Sequence, residues 1–74
     1  MTHKLSAVIE KDDSGYFAYC PELKGCHSQG DTLEEVLQNL REAAELYLET
    51  LSDDEIKAVL SRSILTTTVD VTHA

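Results

Sequence analysis

Gly15-Tyr-Phe-Ala-Tyr-Cys-Pro-Glu-Leu-Lys-Gly-Cys-His-Ser-Gln-Gly-Asp-Thr-Leu-Glu-Glu35, continued by Val36-Leu-Gln-Asn-Leu-Arg-Glu-Ala-Ala-Glu-Leu-Tyr-Leu-Glu49, sets out the parts of a small α+β domain in order. Tyr16 to Cys20 are apolar or aromatic at every position, the mark of a short strand whose two faces both leave water. Pro21 has no N–H and holds Cys20 extended, so regular pairing stops there. Glu22-Leu23-Lys24-Gly25 turns the chain, Cys26 to Gln29 form a third short strand, and Gly30 ends it. Thr32 followed three residues later by Glu35 has the spacing of a helix capping box. Apolar residues then recur at Leu33, Val36, Leu37, Leu40, Ala43, Ala44, Tyr47, Leu48 and Leu51, a stripe that predicts one long helix laid on the sheet. Glu34, Gln38, Glu42, Glu45 and Glu49 fall opposite it as a solvated face. Leu46 lies off the stripe and, with Asn39 and Ala43, marks a candidate contact ridge.

Upstream, Leu5, Ala7 and Ile9 alternate with Ser6, Val8 and Glu10, which predicts a first strand over residues 4–10. Lys11-Asp12-Asp13-Ser14-Gly15 has the composition of a hairpin loop. Downstream, Ser52-Asp53-Asp54-Glu55 repeats the capping pattern and opens a shorter helix through Ile56, Val59 and Leu60. Ser63 to Val71 is rich in β-branched residues and predicts a final strand. The expected architecture is one domain over residues 1–74, two-layer β-β-β-α-(α)-β. A right-handed crossover then sets the last strand beside the first, giving a mixed four-stranded sheet of order 3-2-1-4 with one long helix packed on one face. That arrangement looks like a truncated RNase H-like sheet.

Fourteen acidic residues against six basic ones give a net charge of −8, and the bases, Lys4, Lys11, Lys24, Arg41, Lys57 and Arg62, are scattered. Such a field repels phosphates, so direct binding of nucleic acid is not expected, whereas a basic protein would be drawn in. A chain this short buries only ~60% of the surface its unfolded form exposes. With strands that are apolar on both faces, this predicts a homo-oligomer, a dimer or a tetramer. No apolar run reaches the ~18 residues of a membrane span, and Met1-Thr-His-Lys4 lacks the apolar centre of a signal peptide, so the expected compartment is the cytoplasm.

Cys20, Cys26 and His27 are the metal-ligating types closest together, but Cys-x5-Cys is wider than the usual gap of about two to four residues and no second ligand pair follows. Two small buried thiols are expected there, with no metal and no cofactor. A redox pair would need Cys-x-x-Cys at a helix N-terminus, which the chain lacks. A two-metal nuclease would need converging carboxylates, for which Glu10, Glu35 and Asp70 are available. Glu10 closes a strand, Glu35 is used in capping and Asp70 nears the end of a strand. The expectation is therefore binding rather than enzymatic catalysis. The residues best suited to a partner are Asp12 and Asp13 in the acidic hairpin, Tyr16 and Tyr19 on the strand, and the turn Glu22-Leu23-Lys24, which combine charge with aromatic anchors.

The set Tyr16, Ala18, Pro21, Glu22, Leu23, Gly25, Cys26, Gly30, Asp31, Thr32, Glu34, Glu35, Asn39, Glu42, Ala43, Tyr47, Leu48 and Glu49 resembles the N-terminal domain of HicB-like antitoxins. The resemblance is dense from about Lys4 to Glu49 and only general in shape over residues 52–74. It implies a domain that neutralises a small, basic, dsRBD-like ribonuclease toxin, HicA, by occluding its catalytic His. The resemblance also implies that full-length members carry a C-terminal DNA-binding module, which this sequence is expected to lack. A stand-alone, self-associating domain with no toxin partner is the alternative that the same residues allow.

Overall fold

Asp12 and Gly15 face each other across a turn of only Asp13 and Ser14, and this hairpin starts the fold seen in the computed structural model, which describes residues 2–74. Asp12 Oδ1 accepts the Ser14 N–H at 2.8 Å, so the side chain closes the turn locally. Gly15 sits at φ +127°, where a side chain would be strained, and a Cβ there would meet Gly30 O at 2.9 Å. The flanking strands are β1 (Val8–Asp12) and β2 (Gly15–Tyr19), paired antiparallel with Ile9 opposite Ala18. β3 (His27–Gly30) adds antiparallel on the other side of β2, with Ser28 opposite Ala18.

The first strand was expected over residues 4–10 with a longer loop, and it is shifted along the chain. The Ser6 N–H does not enter a strand ladder, because it donates to both carboxylate oxygens of Glu22 at 3.1 and 3.0 Å. Residues 20–26 form the β2–β3 connection, which three backbone hydrogen bonds close. Cys20 N–H donates to Cys26 O, Leu23 N–H to Cys20 O, and Cys26 N–H to Leu23 O, each at 3.0 Å.

Helix α1 (Leu33–Glu49) follows the expected stripe. Thr32 Oγ1 accepts the Glu35 N–H at 3.0 Å, while Glu35 reaches past Thr32 to the Asp31 N–H at 3.2 Å, so the expected box closes one residue early. Gly30 lets the helix start close to β3, since a Cβ there would meet Val36 N at 2.8 Å. Asn39 Nδ2 donates to Gln29 O at 2.9 Å and fixes the helix over that strand. The core is small: Ala18, Cys20, Leu23, Cys26, Val36 and Leu40 are buried, with Leu5, Tyr16, Ala43, Ala44, Tyr47, Leu48, Leu51 and Val59 packed around them. Helix α2 (Asp53–Leu60) opens with a complete capping box between Ser52 and Glu55, the two bonds measuring 2.9 and 3.2 Å.

The expected fourth strand does not form. Among the described residues the sheet has three strands in the order β1-β2-β3, all antiparallel, in place of the mixed order 3-2-1-4. Beyond α2, Arg62 Nη1 donates to Pro21 O and Glu22 O, both at 3.2 Å, and the chain then leaves the body as an arm. Leu65, Val69 and Val71 on that arm are 89%, 78% and 84% exposed. β-branched composition records a fit to a pleated, half-buried surface, but it does not supply the neighbour that makes such a surface. Without the parallel strand, the sheet is a three-stranded meander rather than the RNase H-like arrangement expected.

Candidate partner-binding surface

The strand register sorts the side chains of the sheet into two faces. Ile9, Ala18 and Ser28 share a row on the side of α1, whereas Val8, Tyr19 and His27, then Glu10, Phe17 and Gln29, form rows on the opposite side. Among the described residues α1 is the helix in extensive contact with the strands, and it lies on the other side. Phe17 and Tyr19 remain 40% and 36% exposed there. Their ring centroids lie 6.3 Å apart, and His27 lies 5.6 Å from Phe17, so three rings form one patch. Glu10 and Asp12 border the patch on β1, with Asp13 in the turn beyond. An apolar, aromatic centre with a carboxylate rim is the composition of a protein-docking surface.

The residues singled out in the sequence divide between this surface and the interior. Asp12 and Asp13 are exposed at the hairpin tip, and Tyr19 lies on the outer face about 13 Å further along the strands. Tyr16 points to the other face, half-buried against the core, with Lys11 Nζ 5.7 Å from its ring centroid. Residues three apart on a strand cannot share a face, so Tyr16 and Tyr19 diverge. Leu23 is 1% exposed and belongs to the core. Glu22 is buried, its carboxylate facing inward to Ser6, and only Lys24 of that turn is exposed. Sequence reasoning passed over Phe17, His27 and Glu10; the period-two rule applied from Tyr19 along β2 would have found Phe17. Of the ridge on α1, Asn39 is engaged with Gln29 and Ala43 packs on the core, which leaves Leu46 as its exposed member.

Burial disfavours the charged form of Glu22, but hydrogen bonds from the Ser6 backbone, from its own backbone N–H and from the side chains of Ser6 and Cys20 outweigh it. The carboxyl is consequently held below its ordinary range. Cys20 Sγ lies 3.7 Å from Glu22 Oε1. Burial first, then the Glu22 charge, raises the Cys20 thiol to about 11, and burial also raises that of Cys26. Both are free, buried and protonated at neutral pH. His27 is on the outer face with Phe17, away from the two thiols, so Cys20, Cys26 and His27 do not converge. Glu10 lies on the outer face, Glu35 bonds Asp31 and Asp70 rides on the exposed arm. Those three carboxylates do not meet at one point.

Residues 5–72 match the family model described as HicB-like antitoxin of bacterial toxin-antitoxin systems. The chain belongs to the HicB-like antitoxin family. Among relatives of this HicB-like chain, a UPF0150 protein of Helicobacter pylori strain J99 is 46% identical over 70 residues, covering 95% of this chain and 97% of that one. A UPF0150 protein of Synechocystis sp. PCC 6803 is 58% identical over 50 residues, 66% of this chain and 63% of its own length. A 14.9 kDa protein from the rep-hol intergenic region of Haemophilus phage HP1 is 40% identical over 47 residues, 64% of this chain and 35% of its own. No solved structure matches the chain. Among the described residues, no helix of this HicB-like protein is long and apolar enough to cross a membrane.

Proposed function

We propose that this HicB-like chain is a protein-binding domain that neutralises a small, basic ribonuclease toxin of the HicA kind by covering its active site. The observation that carries the reading is the outer sheet face, where Phe17, Tyr19 and His27 form an exposed aromatic patch bordered by Glu10 and Asp12. Family membership supports a toxin as the partner. The net charge of −8 supports a basic one, because opposite charge accelerates encounter and suppresses wrong partners. Asp13 and Lys24 extend the contact beyond either end of the strands. Free thiols at Cys20 and Cys26 suit the reducing cytoplasm in which an RNase toxin acts. The family reading gives the chain a binding role rather than an enzymatic one.

The test is binding to purified small basic ribonucleases of the HicA kind, by calorimetry, together with protection of RNA from them; no binding and no protection would overturn the toxin reading. Phe17→Ala and Tyr19→Ala are each expected to weaken the complex by about tenfold or more while leaving the melting temperature nearly unchanged. Raising the salt should weaken it further by slowing association. Full affinity in both variants would move the contact off the outer face. A second reading, self-association with no toxin, draws on the exposed apolar residues of the C-terminal arm.

A further inference from the structure

The α1 side of the sheet is incomplete at β1. Ile9 shares its row with buried Ala18, yet it is 39% exposed, and Leu37 on the neighbouring flank of α1 is 40% exposed. The helix lies over β2 and β3, which leaves an apolar groove of about 470 Å³ lined by Leu5, Ala7, Leu37, Ala44 and Leu48 among others. The outer edge of β1 has no backbone partner among the described residues.

The arm has the pattern of the missing strand. Leu65, Thr67, Val69 and Val71 alternate with Ile64, Thr66, Thr68 and Asp70; Ile64 at the base is half-buried, and beyond it an extended arm has one apolar-rich side and one polar side. Residues 63–71 would span roughly 30 Å as a strand, enough to cover the edge of β1 (Val8–Asp12, roughly 17 Å) and to continue beside Leu5 and Ala7, which line the groove. In the single chain the arm does not lie on its own sheet. The molecule is 48 Å long with a radius of gyration of 14.4 Å, against roughly 11 Å for a compact chain of this length. β3 is a poorer acceptor. It is short and polar (His27, Ser28, Gln29, Gly30), and Asn39 already occupies the Gln29 carbonyl.

We propose that residues 63–71 of one copy add as a strand to the β1 edge of a second copy, and reciprocally, so that two chains complete each other's sheets. Main-chain hydrogen bonds along the edge hold the added strand, and Leu65, Val69 and Val71 fill the groove beside Ile9 and Leu37. The exchange closes on a two-fold axis, since each copy gives one arm and receives one. It is independent of toxin binding and has the opposite response to salt. Two copies of charge −8 repel, so added salt tightens the dimer while it loosens a complex with a basic partner.

Sedimentation of the whole chain tests the proposal, alongside a Leu65→Asp/Val69→Asp variant and isotope-filtered NMR on a mixture of labelled and unlabelled copies. The expected results are a dimer whose dissociation constant falls between about 50 and about 500 mM salt, and a rise of at least about a hundredfold in that constant for the variant. Methyl contacts from Val69 and Val71 to Ile9 and Leu37 are expected between labelled and unlabelled chains. These arm side chains are exposed in the single copy, so the variant should keep its circular dichroism spectrum. A wild-type monomer at about 100 μM overturns the proposal, since a biologically useful dimer sits well below that. A dimer unaffected by the variant overturns it too, as do arm contacts confined to the same chain.

Discussion

Glu22 joins segments that lie far apart in the sequence: its carboxylate accepts the Ser6 N–H, and its carbonyl accepts Arg62. Glu22→Gln keeps the size and loses the charge, and it is expected to lower stability by about 1–2 kcal/mol, measured by urea unfolding. The pH dependence has a definite sign. Because the folded carboxyl is held below its unfolded value, its contribution is complete above about pH 4.3 and is lost as the pH falls through the lower, folded value. The wild type should therefore lose stability more steeply than Glu22→Gln below about pH 4.3; parallel profiles would show that the carboxylate is not what holds Ser6. Cys20 and Cys26 lead to a separate expectation. With both thiols buried and raised, Cys20 to about 11, neither should react with a thiol reagent at neutral pH until the protein unfolds. The role of Glu22 was not legible in the sequence, because its partner is 16 residues away and nothing local marks Ser6 as a donor.

At the scale of elements, α1 was legible almost in full, because its cap and its stripe are local signals that the sheet then reinforces. Its placement depends on Gly30 and Asn39. Gly30→Ala would drive a Cβ against the backbone of Val36 and is expected to cost about 1–3 kcal/mol in thermal unfolding, with the helix forced off β3. Asn39→Ala removes one hydrogen bond at the exposed edge of the contact and should cost about 0.5–1.5 kcal/mol. The first strand was legible as a strand but not in its limits, since Glu22 captures Ser6 before the ladder begins. The final strand was misread for a different reason. Residues 63–71 carry the composition of a strand, but pairing is non-local, and the single chain offers them no neighbour.

For the whole molecule, two surfaces of different character follow from covering one side of a three-stranded sheet with one helix. The outer face was foreseen in kind, since five consecutive apolar or aromatic residues from Tyr16 to Cys20 cannot all be buried by one layer. It was foreseen less well in membership. Tyr16, Glu22 and Leu23 are turned toward the interior, while Phe17 and His27 stand at the centre of the aromatic patch. Charge adds a test at this scale. With fourteen acids against six bases, stability should rise modestly with added neutral salt, as self-repulsion is screened; denaturant midpoints at low and moderate ionic strength measure it.

Ser6 and Arg62 both dock on Glu22, at the end of β2 remote from Asp13 and Ser14. The flanks of the folded body therefore meet at one corner, and a small fluorescent label on either flank starts from the pole opposite the acidic tip.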